Sequence, residues 1–500
     1  MPRLYKGWFF ILNLVYQSPV MKTLLYILVL AAICASCQHQ PTVYSGQYPD
    51  NVAAIINNKC ATAGCHNSLS YLNAGGLRMD SWGAMMQGGS SGAVLIPYST
   101  GNSSLLYFIN TDSSLGPVLK PQMPLYEGAL SKSEYETIYN WVAAGAPDKT
   151  GNIPFASDPD TRQKIYITQQ GCDLIAVIDA QTNVIMRYIR IGMSPAIEVP
   201  HCVRFSPDGK YAYVSFNSGQ YFQKIDVASD AVISSLYIGQ GAWNMLKLSP
   251  DGTKALIADM SPKGKVKYLD VVNMQVLATY DDEFVNPHGI AATPNFDTFF
   301  ITSQIGNTIY RFTLNGIIKP LSLDSAAPNL LTGTYDPHEI VMSPDFSRYF
   351  VTCQTSNEVR VMDPHTNKLI KAIKVGTYPQ EIAVSRSMPY MFVSCQEDVT
   401  PDYPDFKGSI YVINYNTLEI VKVISGPFYQ IHGVILDDRS GLLYIASRNI
   451  LVDGPAPHHT SECGGRNGYY NVYDMHTFGT HDGKRYEATV DPYSADVRFK

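Results

Sequence analysis

Length, composition and charge limit the classes of protein open to this chain. It has 500 residues, of which 45 % are hydrophobic and 16 % are charged, which is enough for two domains with their own cores. A net charge of −6 provides no electrostatic basis for binding nucleic acid, so we exclude nucleic acid as a partner. Abundant glycine (37), proline (31) and tyrosine (34) indicate a turn-rich β protein over much of the chain.

The N-terminal segment has the features of an export signal. A methionine–lysine start at Met21 precedes an apolar run and then small residues. This order predicts a signal peptide over 1–36 whose true start is Met21. The alternative is one uncleaved membrane helix over 8–36. Pro19 divides that stretch into two short apolar runs, which disfavours a spanning helix.

Ala35-Ser36-Cys37 resembles a bacterial lipobox, in which the cysteine receives lipid and becomes the new N-terminus. The resemblance implies an exported lipoprotein anchored through Cys37. Such an anchor would hold the protein at the cell membrane or the outer membrane, facing the periplasm or the cell surface.

Lys59-Cys-Ala-Thr-Ala-Gly-Cys-His66 is the most informative stretch of the chain. Two cysteines that end in Cys-His can form thioethers with the two vinyl groups of a haem and leave His66 beneath the iron. The usual spacing leaves two residues between the cysteines, whereas four separate Cys60 from Cys65. Gly64 permits the bulge that the longer spacing requires. The alternative is a small Cys60–Cys65 disulfide loop with His66 merely adjacent.

Met123, in Gln122-Met123-Pro124, is the candidate sixth ligand of the iron. It precedes a predicted helix that starts with a capping box formed by Ser131 and Glu134. A methionine in such a loop suits axial ligation, although a lone methionine is more often core filler. Another helix is predicted before the cysteines by an apolar stripe at Val52, Ile55 and Ile56.

Residues 48–148 resemble the planctomycete-type cytochrome c domains of secreted bacterial proteins. The shared runs are 59–67, 75–77, 88–90, 96–97, 104–107, 123–124 and 141–147. The resemblance implies that Cys60 and Cys65 hold one haem c covalently, with His66 as the proximal and Met123 as the distal iron ligand. It also implies a one-electron carrier.

Residues 163–500 consist of repeats, which predict the fold of this part. Anchors of the Ser-Pro-Asp-Gly type recur every 42 to 52 residues, at Ser206, Ser249, Thr293, Ser343, Ser385 and Asp437. Each anchor lies between two apolar strands, and two further strands follow it. Four short strands in a repeat of this length are typical of a β-propeller blade. We count seven blades.

The first blade lacks an innermost strand, because its repeat starts at Lys164-Ile-Tyr-Ile-Thr168. Ala495-Asp-Val-Arg-Phe499 echoes His201-Cys-Val-Arg-Phe205, so we predict that this tail supplies the missing strand and closes the ring. The repeats resemble the YVTN-type seven-bladed propellers. The predicted fold class is multidomain, a small all-α cytochrome c domain followed by an all-β propeller. The linker, 149–162, is short, so we expect the first domain beside the first blade.

Six positions that start the innermost strands should ring one mouth of the central channel. They are His201, Asn244, His288, His338, Gln380 and His432. One interpretation is a second metal or cofactor site at His201, His288, His338 and His432, since converging imidazoles suit copper, zinc or iron. The other is a repeat feature, in which each ring is hydrogen-bonded to a neighbouring blade within a polar funnel that could bind substrate.

Loops on the same face carry further polar residues, Gln170, Gln304, Gln354 and Gln396, and an insertion over 453–468 carries His458, His459 and Cys463. A Cys463 thiolate would favour copper or zinc. The cysteines outside the signal and the haem motif are Cys172, Cys202, Cys353, Cys395 and Cys463. Their number is odd, so at least one stays unpaired, and buried thiols are expected at Cys353 and Cys395.

Two functions remain open at this point. The first is an exported electron-transfer protein, or a subunit of an oxidoreductase, that passes electrons between a partner protein and a metal or substrate site in the propeller. The second is a non-catalytic module whose propeller binds a protein or a glycan, with the haem as a relay or a structural element. The sequence names neither the redox partner nor a substrate.

Overall fold

The computed structural model describes residues 47–125, 128–316, 318–323, 333–451, 453–454 and 461–499. The predicted export signal with Met21 and Cys37 lies outside the described residues, as do His458 and His459. Within these ranges a small helical region over 50–143 precedes an all-β propeller of seven sheets, which confirms the predicted fold class. In the part of the chain described, no helix combines the length and the apolarity that crossing a membrane requires.

The described helical region has four α-helices joined by short turns. They are α1 (Asp50–Lys59), α2 (Trp82–Met86), α3 (Ser104–Ile109) and α4 (Lys132–Ala143), with 3-10 turns at Tyr71–Asn73, Thr100–Asn102 and Ser113–Leu115. The predicted stripe of α1 is buried, and α1 packs against α4. An ion pair between Lys59 Nζ and Glu134 Oε2, 3.1 Å apart, joins the end of α1 to the start of α4.

The start of α4 confirms the predicted capping box. The Ser131 hydroxyl accepts a hydrogen bond from the Glu134 N–H at 3.3 Å, and the Glu134 carboxylate accepts one from the Ser131 N–H at 2.7 Å. Both bonds satisfy N–H groups that have no partner within the helix. The helix then buries Tyr135, Ile138, Trp141 and Val142, and this apolar face holds it in the small core.

Each propeller blade is a four-stranded antiparallel sheet. From the innermost strand outwards, blade 1 contains β28 (Pro492–Val497), β1 (Lys164–Gln169), β2 (Leu174–Asp179) and β3 (Ile185–Arg190), and blade 2 contains β4 (Pro200–Phe205), β5 (Tyr211–Phe216), β6 (Tyr221–Asp226) and β7 (Ala231–Tyr237). In the same order, blade 3 contains β8 (Trp243–Leu248), β9 (Lys254–Asp259), β10 (Gly264–Asp270) and β11 (Gln275–Phe284), blade 4 contains β12 (Pro287–Ala292), β13 (Thr298–Ser303), β14 (Thr308–Thr313) and β15 (Ile318–Ser322), and blade 5 contains β16 (Pro337–Met342), β17 (Tyr349–Cys353), β18 (Glu358–Met362) and β19 (Leu369–Lys374). Blade 6 contains β20 (Pro379–Val384), β21 (Tyr390–Cys395), β22 (Ser409–Asn414) and β23 (Glu419–Ser425), and blade 7 contains β24 (Ile431–Asp437), β25 (Leu442–Ser447), β26 (Asn467–Asp474) and β27 (Tyr486–Val490).

Strand burial and turn chemistry explain why the repeats fold into blades. Inner strands such as β1 and β2 are buried along their whole length, whereas the outer strand β7 is mostly exposed or half-buried. The anchor after β4 turns the chain, because the Ser206 hydroxyl donates to Asp208 at 2.6 Å and Gly209 adopts a φ of 67°. Glycine adopts such a φ at no steric cost. The repeated anchor therefore places a tight turn at one end of each hairpin.

The first blade is closed by β28, but the predicted register of the tail is wrong by two residues. In blade 1, Val497 pairs with Ile165. In blade 2, Phe205 pairs with Ala212, so Val497 is equivalent to Phe205. Four residues earlier in each strand, Tyr493 therefore occupies the position of His201. The strand ends at Val497, and Arg498 follows it. Its guanidinium donates to the carbonyl oxygens of residues 159, 160, 162 and 209, which fastens the linker to the ring.

The innermost strands all begin at one end of the propeller, which we call the mouth face. The loops between the second and third strands of each blade emerge on the same face, because strand directions alternate within a sheet. A β-bulge follows the first residue of several inner strands, for example between Pro287 and Ile290 and between Pro337 and Ile340. Bulges re-aim side chains, and here they let the residue after the proline reach the channel.

A disulfide between Cys172 and Cys463 joins blade 1 to blade 7. The predicted Cys463 thiolate is therefore wrong, because this sulfur is committed to a bond across the join between the two blades. Cys202, Cys353 and Cys395 are buried free thiols. Buried thiols were expected at Cys353 and Cys395. Burial raises the pKa of Cys395, which keeps this thiol protonated and unreactive.

We expect the disulfide to stabilise the closed ring. A Cys172→Ser/Cys463→Ser variant should lose about 2–4 kcal/mol of unfolding free energy and melt several degrees lower in calorimetry. A thiol reductant should lower the melting temperature of the wild type and leave that of the variant unchanged. Equal melting of both proteins without reductant would show that β28 alone holds the ring.

Candidate haem site and channel ring

The Cys-His segment follows α1 directly and keeps both sulfurs free. Cys60 is buried and Cys65 is half-buried, and neither forms a disulfide, which removes the alternative of a Cys60–Cys65 loop. The His66 N–H donates to the Cys60 carbonyl oxygen at 3.1 Å, so the segment turns back on itself. Gly64 has a φ of 81°, which supports the bulge that the wide cysteine spacing requires.

His66 is oriented by its hydrogen bonds for ligation through one ring nitrogen. Its Nδ1 lies 3.1 Å from the carbonyl oxygen of Leu77, and because a carbonyl only accepts, Nδ1 carries the proton. That tautomer leaves the lone pair on Nε2, as in histidines that bind metals. The His66 carbonyl in turn accepts from the Met79 N–H at 2.7 Å, which anchors the backbone beneath the ring.

Met123 lies in a loop that is tied to α3. Its N–H donates to the Phe108 carbonyl oxygen at 2.8 Å. The side-chain amide of Gln122 donates to the carbonyl oxygens of Phe108 and Asn110 at 2.8 and 3.0 Å. Two neighbouring residues thus hold the loop at the end of α3, and Met123 itself remains half-buried.

The residues around these candidate ligands fit a haem. Four large apolar side chains within six residues of His66 or Met123 are exposed: Leu69, Leu72, Val118 and Leu125. Leu69 is 95 % exposed, so its side chain is available to pack against an apolar group. The donor set of two thiols, an imidazole and a thioether is that of a c-type haem with histidine and methionine axial ligands.

The helical region docks where blade 1 meets blade 7. The Glu487 N–H donates to the Ser91 carbonyl oxygen at 2.9 Å, and the Glu462 N–H donates to the Gly101 carbonyl oxygen at 3.0 Å. On blade 1, Arg187 stacks over Tyr98 with its guanidinium carbon 5.5 Å from the ring centroid. A cavity of about 370 Å³ remains between these contacts. The region therefore contacts the first blade, as expected, and the last blade as well.

Five buried rings form a closed cycle at the mouth of the channel, which we call the channel ring. Their centroid distances are 5.8 Å for His201–His288, 4.0 Å for His288–His338, 5.5 Å for His338–His432, 3.7 Å for His432–Tyr493 and 4.6 Å for Tyr493–His201. None is more than 8 % exposed. The rings thus fill the channel mouth. Sequence reasoning missed Tyr493 because of the register error in β28.

Hydrogen bonds connect two of the imidazoles to neighbouring blades. Gln170 of blade 1 lies 3.0 Å from His201 Nδ1 of blade 2, and His288 Nδ1 of blade 4 lies 3.3 Å from the His338 carbonyl oxygen of blade 5. His432 Nδ1 of blade 7 lies 3.4 Å from Glu381 Oε1 of blade 6, but no hydrogen bond joins these two atoms. The interpretation of the histidines as a repeat feature, with each ring hydrogen-bonded to a neighbouring blade, therefore fits His201 and His288.

The described residues contain no group of three or more His, Cys, Asp or Glu side chains arranged to hold a metal ion. His201 Nε2, His338 Nδ1 and both ring nitrogens of His432 have no hydrogen-bond partner among them, so several nitrogens of the channel ring are open to a further ligand. A metal at the four histidines therefore stays a prediction.

Burial keeps the channel ring uncharged. Desolvation, with a smaller contribution from His432, lowers the pKa of His288 to about 3. Burial also lowers the pKa values of His201, His338 and His432. Below the ring, burial and then the neighbouring Glu381 raise the pKa of Glu339 to about 7. Neutral rings pack at these distances without the repulsion that imidazolium ions would cause.

Side-chain amides extend the polar network around the mouth. The amide of Gln354 donates to Gln380 at 2.9 Å, and that of Gln380 donates to Gln396 at 3.0 Å. The Gln396 amide then donates to the Glu397 carboxylate at 3.2 Å. The loop glutamines predicted for this face thus link blades 5 and 6 in one chain of hydrogen bonds, which polarise each other in the same direction.

We expect Tyr493 to hold the channel ring together. Tyr493→Ala should cost about 3–5 kcal/mol of unfolding free energy, because it leaves a cavity between His201 and His432. Tyr493→Phe keeps both ring contacts and should cost less than about 1.5 kcal/mol. Thermal melting of the two variants beside Tyr237→Ala, which changes an exposed ring of the outer strand β7, measures the difference. Equal loss in Tyr493→Phe and Tyr493→Ala would contradict a packing role.

Comparison with known proteins identifies the helical region. Residues 63–117 match the family described as planctomycete cytochrome C. The match includes Cys65 and His66, whereas Cys60 and Met123 fall outside the matched residues. No curated protein matches the chain.

Two solved structures resemble the larger part of the chain. One, a functionally unknown protein from Desulfotomaculum acetoxidans, has a TM-score of 0.51 and 16 % identity, and the similarity covers 67 % of this chain and 99 % of that protein. The other, hydrazine synthase from Kuenenia stuttgartiensis, has a TM-score of 0.48 and 14 % identity, over 62 % of this chain and 92 % of that one. At this identity only the fold is comparable. The chain therefore carries a planctomycete cytochrome c domain followed by a seven-bladed β-propeller.

Proposed function

We propose that this protein is an exported electron carrier with one c-type haem in its cytochrome c domain. The observation that carries the proposal is the state of the Cys-His segment. Both cysteines are free, and the neighbouring His66 commits Nδ1 to the Leu77 carbonyl oxygen. Two available thiols beside an imidazole with a free Nε2 are the groups that haem attachment uses.

Each residue of the site has a defined task in this proposal. Cys60 and Cys65 would hold the porphyrin through thioether bonds, and His66 and Met123 would occupy the axial positions. A bound haem supplies one-electron exchange at its iron. The exposed leucines Leu69 and Leu72 would cover apolar porphyrin surface and exclude water from it, and Leu77 keeps His66 in one tautomer.

The disulfide supports export. A bond between Cys172 and Cys463 is typical of proteins outside the cytoplasm, where thiols are oxidised. Covalent haem attachment in bacteria also takes place outside the cytoplasm, as the family resemblance implies. We include a lipid anchor on Cys37 and a YVTN-type propeller in the proposal.

For the propeller, the contacts favour a closed polar ring over a second redox centre. Two of the four histidines, His201 and His288, form hydrogen bonds to a neighbouring blade through a ring nitrogen. The channel mouth is filled by the channel ring, so a substrate would bind above the ring rather than within the channel. The second candidate function, a propeller that binds another protein, is favoured by the exposed apolar residues of the mouth face, such as Ile305, which is 61 % exposed.

Elemental analysis separates a haem-only protein from one with a metal in the propeller. Protein purified from a host that attaches haem should contain one iron per chain and no second metal in comparable amount. His288→Ala/His338→Ala should keep that iron, whereas Cys60→Ser/Cys65→Ser should lose it. A second metal that disappears only in the histidine variant would assign the channel ring as a metal site.

The axial role of Met123 is tested by spectroscopy. Met123→Ala should keep covalently attached haem, because both thioethers remain, but should lose the methionine–iron charge-transfer band of the oxidised protein. Its reduction potential should fall, since a methionine ligand favours the ferrous state. Met193→Ala, at an exposed methionine of the propeller, is the control. An unchanged band in Met123→Ala would exclude Met123 as the ligand.

A further inference from the structure

Four residues, 61–64, separate the two cysteines of the haem motif, and we call them the insert. The insert begins at the end of α1, where the N–H groups of Cys60 and Ala61 both donate to the Ile56 carbonyl oxygen, at 2.9 and 2.8 Å. Compared with the usual two-residue spacing, the insert adds backbone freedom between the sulfurs. Both thiols therefore face one porphyrin only if other contacts hold the insert in one conformation.

The side chain of Asn67 fastens the insert to the segment that follows it. The Asn67 amide nitrogen Nδ2 donates to the Thr62 carbonyl oxygen at 2.7 Å. The same carbonyl oxygen accepts a hydrogen bond from the Cys65 N–H at 3.1 Å. Two donors thus converge on the middle of the insert and close it into a compact turn.

The oxygen of the same amide fixes its orientation. Asn67 Oδ1 accepts hydrogen bonds from the backbone N–H groups of Leu69 and Ser70, at 2.9 and 3.1 Å. Backbone N–H groups only donate and the Thr62 carbonyl only accepts, so a flipped amide would lose all of these bonds. The amide is therefore held at both ends, between the insert and the backbone after His66.

Ser70 ties the backbone of the second cysteine to the same segment. Its hydroxyl donates to the Cys65 carbonyl oxygen at 2.6 Å. The His66 N–H donates to the Cys60 carbonyl oxygen at 3.1 Å. Both cysteines are thus connected to residues 66–70, which carry the imidazole, and Asn67 connects the insert to the same residues.

A simple turn would explain only part of the Asn67 contacts. An asparagine whose side-chain oxygen accepts from the following N–H groups is a common turn, and a 3-10 turn does follow at Tyr71–Asn73. That turn needs only the oxygen, so aspartate would serve as well. The bond from Nδ2 to Thr62 lies outside the turn, and it is the one that involves the haem motif.

We propose that Asn67 is a positioning residue for haem attachment, which holds the insert so that the thiols of Cys60 and Cys65 face one porphyrin. This inference rests on the proposed function. Each thioether forms when a cysteine S–H adds across a vinyl C=C bond: the sulfur bonds to one carbon, the proton goes to the other, and no oxidant or reductant is consumed. The second addition needs a thiol already close to the remaining vinyl group, so a loop held in one conformation favours two bonds over one.

The first test compares Asn67→Asp with the wild type, both as full-length chains from a host that attaches haem. Aspartate keeps the oxygen of the turn but removes the donor to Thr62. The yield of doubly attached haem should fall roughly fivefold, as expected for the loss of one hydrogen bond. Singly attached haem keeps a vinyl group, which moves the α band of its reduced pyridine complex to longer wavelength. Asn73→Asp, which adds the same charge at an exposed position of the domain, should resemble the wild type.

The cysteine spacing provides a second test. Deletion of Ala61 and Thr62 restores the two-residue spacing and removes the carbonyl that Asn67 binds. In this background Asn67→Asp should not lower attachment further, because no insert is left to hold. A third measurement does not depend on the folding of the deletion variant. In haem-free full-length protein, Asn67→Asp should speed hydrogen exchange at the N–H groups of Cys65 and His66.

Three outcomes would overturn the positioning role of Asn67 and leave the proposed function intact. These are a wild-type yield of doubly attached haem in Asn67→Asp, an equal loss of attachment in both spacing backgrounds, or unchanged hydrogen exchange in haem-free Asn67→Asp. A wild-type chain that acquires no covalent haem would instead contradict the proposed function. The hydrogen-exchange comparison would then still decide whether Asn67 holds the insert.

Discussion

The pairing of β28 with β1 is the interaction on which the rest of the structure depends. It joins residues more than three hundred positions apart and removes the free edges that an open ring of sheets would expose. The disulfide between Cys172 and Cys463 crosses the same join, the cytochrome c domain docks on it through Ser91 and Gly101, and β28 contributes Tyr493 to the channel ring. Domain docking and channel closure are therefore consequences of one strand pairing.

The sequence alone predicted those structural features that depend on local rules, such as helix capping and repeat spacing. The capping box at Ser131 predicted the start of α4, and the spacing of the anchors predicted seven blades. Tertiary contacts were harder to predict. The tail resembles β4 best when Phe499 is aligned with Phe205, but the pairing with β1 is shifted by two positions, and the guanidinium of Arg498 binds four carbonyl groups of distant residues.

Other features depend on contacts that no pattern in a single sequence reveals. A Cys463 thiolate would have favoured copper or zinc, whereas its partner in the fold is Cys172, which lies 291 residues away. Tyr493 stands in blade 1 at the position where blades 2, 4, 5 and 7 have a histidine, so a search for repeated histidines does not find it. The histidines themselves were found by their repeat position. Repeats copy packing as readily as chemistry, and hydrogen bonds between blades account for two of the four rings, His201 and His288.

The propeller residues that contact the cytochrome c domain lie late in the chain, and this position determines when the two domains can assemble. The thiols of Cys60 and Cys65 emerge early in synthesis. The surface beneath the cytochrome c domain is completed by Glu462, Glu487 and β28. These residues emerge hundreds of residues later. Under the proposed function, the haem-binding module would therefore be exported before the last blade has formed. Haem attachment would then act on a module that no blade yet covers.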